Sequence, residues 1–190
     1  MIQRRAGSQP AARGVPDPDI MRRLAGGESS ALGELYDRYH QPIRGFLARA
    51  TSDAEDVDDL VHATFLAAAQ SAARYDGRPS CRPWLVGIAA QLLRRRYQAF
   101  GRRLAALSSL FGARSPAVDP RPLLQARGDV ERALARISDL KRVTFLMAEG
   151  EGLSCQEIAA ALQIPIGTVW TRLHAARREL RQALDEGQEP

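Results

Sequence analysis

Between Trp84 and Arg103 the chain carries five arginines, Arg94, Arg95, Arg96, Arg102 and Arg103, together with Trp84 and Tyr97 and no acid. Guanidinium groups hold a phosphate backbone and aromatic rings stack on bases, so these residue types are what a single-stranded nucleic-acid site requires. Two plainer readings stand beside it: a tryptophan opening a buried helix packs as core, and an arginine run is a solvated helical end. A second polar and cationic set lies further on: Thr168, Trp170, Thr171, Arg172, His174, Arg177 and Arg178. Arginine's planar fork suits phosphates and base edges. A third group has the opposite sign. Asp53, Glu55, Asp56, Asp58 and Asp59 fall within seven residues with no basic residue among them. Acids at a helix start complement its dipole, and in this number they also fit a basic protein surface.

The second set needs a scaffold, and Leu153–Leu180 supplies one. Ser154 followed three residues later by Glu157 is a capping box, so a helix starts at Cys155. Ile158, Ala159 and Leu162 give it a buried side, and Gln163-Ile164-Pro165 ends it, because proline begins a helix but does not continue one. In the next helix Val169, Leu173, Ala176 and Leu180 share one face of a 3.6-residue period, which turns the cationic set outward. Two helices joined by a tight turn, the second with a cationic outer face, form a helix-turn-helix whose second helix enters a major groove. A helical hairpin with a solvated basic face is the plain alternative.

The other groups sit on helices of their own. Asp17-Pro18-Asp19 starts a short one, with carboxylates at the positive end of the dipole, and Gly26-Gly27 stops it. From Ser30, Leu32, Leu35, Tyr36, Tyr39, Ile43, Phe46, Leu47 and Ala50 mark a long amphipathic helix with Pro42 as a candidate kink. The acid block opens a third helix through Val61, Phe65, Leu66 and Ala69. Tyr75–Pro83 is loop by composition and leads into the Trp84–Leu93 helix and its arginines. Residues 104–127, with three prolines, read as a linker with room for a short helix at Leu104–Phe111. Val130, Leu134 and Ile137, then Leu140, Val143, Leu146 and Met147, mark two further helices, with Ser138 as the cap between them. The expected fold is all-α: a helical bundle over 17–103 and a helix-turn-helix domain over 128–184, joined by a flexible linker. Residues 1–16 read as a basic disordered tail and 185–190 as a short tail.

Composition narrows the function. The 190 residues carry a net charge of +5, which favours a polyanionic partner. His40, His62 and His174 are scattered, and no phosphate loop, metal-ligand pair or activated nucleophile is recognisable, so an enzyme, a metal and a cofactor are not expected. Cys81 and Cys155 are far apart and fit reduced thiols of a cytoplasmic protein. Cys81 reads as a small loop residue in preference to a redox handle. Neither a membrane span nor a secretory signal is expected.

Taken together and in order, these segments resemble a bacterial RNA polymerase sigma factor of the extracytoplasmic-function group. The resemblance runs from Asp17 to about Leu184. It is carried by Leu35–Tyr39, Asp53–Val57, Asp59-Leu60 with Phe65-Leu66, Arg82–Leu85 with Ile88-Ala89, the arginine run, Leu153-Ser154 with Glu157–Ala159, and Gly167–Val169 with Arg172-Leu173 and Ala176-Arg177. It implies that the first domain is region 2, placing Asp56, Asp59, His62 and Phe65 against the beta-prime clamp helices of core polymerase. It further implies that Tyr75, Arg78 and Ser80 belong to a pocket for an extruded minus-10 base, with Gln91, Arg94, Arg95 and Tyr97 along the opened strand. Region 4 would touch the beta flap and set Thr168, Trp170, Thr171, Arg172, His174, Arg177 and Arg178 in the minus-35 major groove. Partners so implied are core polymerase, double- and single-stranded promoter DNA, and an anti-sigma protein.

The chain departs from the family pattern at Gln91, where asparagine is usual, at His62, where glutamine is common, and at Gln163, where glycine is usual. Two other functions use part of the same evidence. A dimeric helix-turn-helix regulator leaves the acid block and the Arg82–Leu85 segment unexplained. A sigma-like adaptor that sequesters an anti-sigma protein would have lost the DNA-contacting arginines, which remain here.

Overall fold

The computed structural model describes residues 15–51, 53, 55–111 and 129–185, with backbone alone for 100–111 and 129–131. Within them lie eight α-helices and no strand. The expected N-terminal and C-terminal tails, apart from 15–16 and 185, and the linker beyond 111 lie outside the described residues.

Region 2 is built from α1 (Asp17–Ala25), α2 (Ser29–Ala50), α3 (Asp56–Ser71) and α4 (Arg82–Phe111). Pro18 sits in the first turn of α1, and Gly26-Gly27 ends it, Gly27 taking a φ of 88° that a side chain would resist. Helix α2 runs on through Pro42. Its i, i+3, i+4 stripe, Ile43, Phe46, Leu47 and Ala50, is fully buried. Val57, Leu60, Val61 and Phe65 of α3 and Leu85, Ala89 and Leu93 of α4 close on that stripe, while Ile20, Met21 and Leu24 of α1 cover its N-terminal half. Each large side chain removed from water in this way contributes roughly 1.5–3 kcal/mol. Helix α4 continues unbroken past Gly101 to Phe111, so 104–111 extends that helix and is not a separate element of the linker.

Region 4 comprises α5 (Asp129–Arg136), α6 (Asp139–Phe145), a single π turn over Leu146–Gly150, α7 (Cys155–Leu162) and α8 (Ile166–Asp185). Ser138 occupies the cap of α6, but its side chain makes no capping bond; the Ser138 carbonyl instead accepts from the Lys141 and Arg142 N–H groups. The capping box at α7 is complete. Ser154 Oγ accepts from Glu157 N at 3.2 Å, and Glu157 Oε2 accepts from Ser154 N at 2.9 Å. The turn to α8 requires left-handed backbone at Gln163, with φ 53° and ψ 51°. Val169, Leu173 and Ala176 bury one face of α8 against Ile158 and Leu162.

These two local features have opposite consequences for stability. Ser154→Ala removes an N-cap and is expected to cost about 1 kcal/mol. Gln163→Gly relieves the left-handed strain and is expected to stabilise by up to about 1 kcal/mol, part of the gain being offset by the freer unfolded chain. Urea unfolding followed by circular dichroism measures both.

Candidate nucleic-acid interface

The acid block lies at the start of α3, where Asp56, Asp58 and Asp59 fill the first turn. Its members do different things. Asp56 is half-buried and bonded to Arg96 of α4; burial pushes its carboxyl upward, Arg96 opposes this, and Asp53 and Asp59 add to the rise as like charges. Asp58 receives Arg44 at 2.9 Å. Asp59 and His62 are exposed, and the His62 Nδ1 lies 2.8 Å from the Asp58 carbonyl oxygen. Phe65 does not join them at the surface. It is 3% exposed and packs its ring on Tyr36 at 4.9 Å, so it supports the helix from within. The apolar residue on the outer face is Leu66, 59% exposed, on one helical stripe with Asp59 and His62. A heptad count from Asp59 would have found it.

The Tyr75–Pro83 segment is an irregular loop up to Ser80-Cys81, where α4 takes over at Arg82. Tyr75 turns its ring edge onto Trp84 at 5.3 Å and donates its hydroxyl to the Arg78 carbonyl at 2.6 Å. Desolvation, followed by Cys81, raises the Tyr75 phenol well above its ordinary value, so it stays a donor. Arg78 and Ser80 are exposed. Cys81 is fully buried and its thiol is pushed up to about 12, chiefly by burial, which makes it an unreactive packing residue. Along α4, Trp84, Ile88, Gln91 and Arg95 form one stripe that lines a cleft of about 530 Å³, with Arg74 and Arg78 on its rim. Tyr97 is half-buried against the core.

On α8, Trp170, Thr171, His174, Arg177 and Arg178 are exposed, while Thr168 and Arg172 are half-buried. Trp170 is 58% exposed, a large apolar ring facing outward. Thr171 Oγ1 donates back to the Gly167 carbonyl, and Arg177 pairs with Glu149 at 2.6 Å.

The far wall of the cleft is region 4 itself, through Leu153, Glu157, Ala160, Ala161 and Gln163. Helix α4 crosses α7 so closely at Gly87 that an added Cβ would lie 3.2 Å from Ala161 Cβ. Ionic contacts flank the crossing. Arg78 pairs with Glu157 at 2.6 Å, and Arg94 donates to the Leu162 carbonyl at the negative end of α7. The Glu151 side chain is 2% exposed and receives Arg82 through two hydrogen bonds, at 2.7 and 3.2 Å, with Arg49 4.0 Å away. Arg94 and Arg172, one from each expected DNA set, are thereby neighbours. Desolvation, then the Arg94 charge, lowers the Arg172 guanidinium, and Arg172 Nη1 is buried without a hydrogen-bond partner among the described residues. Glu151, the acid on which two of these arginines converge, was not singled out as a site residue from the sequence. Among the described residues no His, Cys, Asp or Glu cluster could hold a metal, and no helix is long and apolar enough to cross a membrane.

A four-helix unit with an acid-headed helix and an arginine-aromatic stripe, followed by a helix-turn-helix unit, is the two-part plan of a small sigma factor. Residues 35–103 match the sigma-70 region 2 family and residues 127–180 the sigma-70 region 4 family. Over 172 residues the chain is 32% identical to the RNA polymerase sigma factor CarQ of Myxococcus xanthus, spanning 87% of this chain and 96% of that one. It is 26% identical over 185 residues to the ECF RNA polymerase sigma-E factor of Haemophilus influenzae, spanning 91% and 97%. The fold is also that of RpoE in its complex with the anti-sigma factor NepR from Bartonella quintana, with a TM-score of 0.59, 21% identity and coverage of 80% and 96%. CnrH in complex with the cytosolic domain of CnrY gives a TM-score of 0.59, 24% identity and coverage of 90% and 97%. The chain therefore belongs to the RNA polymerase sigma factors of the extracytoplasmic-function group.

The contacts between the two halves predict the effect of disturbing them. Glu151→Gln leaves Arg49 and Arg82 facing no anion and is expected to weaken closure by about 2 kcal/mol, the scale of a charged hydrogen bond. Combined with Gly87→Leu, which wedges α4 from α7, it is expected to raise the radius of gyration in small-angle scattering while helicity is retained.

Proposed function

We propose that the chain works in the cytoplasm as an alternative, non-catalytic initiation factor whose promoter grip is split between its two halves. Region 2 docks on the clamp helices of core polymerase through the exposed Asp59–His62–Leu66 side of α3, with Asp56 braced by Arg96. The Tyr75–Pro83 loop takes an extruded minus-10 base, and Gln91, Arg94 and Arg95 follow the opened strand. Extrusion costs a few kcal/mol of unstacking, which a fitted pocket and stacking on aromatic groups offset. Region 4 touches the beta flap and lays the Trp170–Arg178 face of α8 in the minus-35 groove. Half-buried Tyr97 supports α4 from behind.

The observation that carries this reading is the Trp84–Arg95 stripe, cationic and aromatic, together with the exposed Asp59–His62–Leu66 side of the neighbouring helix. The same stripe faces region 4, with Arg78 and Arg94 engaged by Glu157 and by the end of α7. A free chain in this arrangement has Arg78 of the loop and Arg94 of the strand-holding set occupied, and core polymerase would have to separate the halves before both promoter elements are held. An anti-sigma protein that kept the halves together would act on the same equilibrium.

Transcription reconstituted with core polymerase on genomic DNA tests the proposal. Defined start sites that depend on the added protein are expected; tight binding to a palindromic site by a free dimer, with no contribution from core polymerase, would contradict it. Arg94→Ala with Arg95→Ala is expected to impair promoter opening, read by permanganate footprinting, with core affinity retained. Asp56→Ala with Asp59→Ala is expected to weaken core affinity first, by roughly tenfold, Asp59 as an exposed charge and Asp56 through the Arg96 pair that braces α3.

A further inference from the structure

The loop expected to receive the extruded base has a support that comes from the start of the chain. Asp17, at the first position of α1, is 4% exposed, and its carboxylate gathers three donors. Oδ2 accepts from the Cys81 backbone N–H at 2.7 Å and from the Tyr39 hydroxyl, and Oδ1 accepts from the Arg38 guanidinium. The Tyr39 oxygen also lies 3.4 Å from Ser80 Oγ. A buried carboxylate is costly unless its lone pairs are filled, and here they are filled by a charge, a hydroxyl and a main-chain donor. Burial, then Asp17, pushes the Tyr39 phenol up to about 12, which keeps it a donor.

Loop residues 76–80 are exposed, so little packing defines their path. The bonds within the loop, from the Tyr75 hydroxyl to the Arg78 carbonyl and from Arg82 N–H to Ser80 Oγ, are local. Asp17 is what ties its backbone to an element 64 residues away. Selection of a base by a pocket depends on donors held to within a fraction of an ångström, and an irregular loop acquires that precision from its second layer of contacts. We infer that Asp17, with Tyr39, is a positioning residue for minus-10 base selection: it sets the Ser80-Cys81 corner of the loop and through it the pocket. This deepens the reading of Tyr75–Pro83 as the base pocket and rests on it.

The test uses the full chain with core polymerase on a promoter mapped with the wild-type protein, with each of the four bases placed in turn at each minus-10 position of the non-template strand. Templates are made as duplex and as pre-opened bubble. Asp17→Ala is expected to flatten discrimination at one position by about tenfold, the scale of one lost base contact, with core affinity and minus-35 preference within about twofold of wild type. Asp17→Asn, which keeps an acceptor for Cys81 N–H, and Tyr39→Phe, which removes one donor, are expected to give smaller losses at the same position. They serve where Asp17→Ala does not fold. The inference is overturned if folded Asp17 and Tyr39 variants discriminate like wild type while Arg78→Ala or Ser80→Ala does not. It is also overturned if the variants lose core affinity, minus-35 preference and every minus-10 position in proportion, as a general packing defect would. If Arg78→Ala and Ser80→Ala leave discrimination untouched as well, the pocket reading itself falls and the inference falls with it.

Discussion

Glu151 lies between two domains with its side chain 2% exposed, and the arrangement of the whole chain depends on how its charge is met. Removing a carboxylate from water costs several kcal/mol, and attraction repays this when geometry is good and the oxygens are filled. Arg82 supplies a two-bond fork and Arg49 a second positive charge from another helix. The acid is delivered to that point by local structure: the π turn over 146–150 and then Gly152 at φ 70° set Glu151 at a corner before α7 begins. Region 2 and region 4 are thus joined by a charge that neither could bury alone.

The same closure engages Arg78 and Arg94 and brings Arg94 near Arg172, residues from both sets proposed to contact DNA. Arg78 reaches Glu157, the residue that also completes the α7 capping box, so one carboxylate supports a fold and occupies a group of the proposed base pocket. Hydrogen bonds from Ser154, first, and the Arg78 charge hold the Glu157 carboxyl below its usual range. Arg94 stands close enough to Arg172 for its charge, after desolvation, to lower the Arg172 guanidinium, a like-charge effect between the two halves.

Much of this was legible in the sequence because it rests on local rules. The capping box, the end of α7 at Gln163, the stripe Val169–Leu173–Ala176 and the glycine stop of α1 each follow from a few neighbouring residues, and each stands where expected. What was not legible depends on contacts across long separations. Asp17 reads locally as a dipole complement, yet its carboxylate is spent on Cys81, Tyr39 and Arg38. Phe65 and Leu66 are adjacent and equally apolar; which one is buried follows from the phase of α3 against Tyr36, which an i, i+3 count alone leaves open. The docking of α7 on α4 carries no sequence period at all, since its determinants are a glycine, an alanine and a set of ion pairs. The short helix allowed for at Leu104–Phe111 is the end of α4, because neither Gly101 nor the serines at 108–109 outweigh helix propagation through an alanine- and leucine-rich stretch.

The distance between a dye on an exposed position of α3 and one on an exposed position of α8, measured by single-molecule energy transfer in the free protein and in the complex with core polymerase, tests this arrangement most directly. The closed structure requires one short distance in the free chain and a single longer one, matching the separation of two promoter elements, once core polymerase is bound. A long or broadly distributed distance in the free chain, or no lengthening on binding, would contradict it.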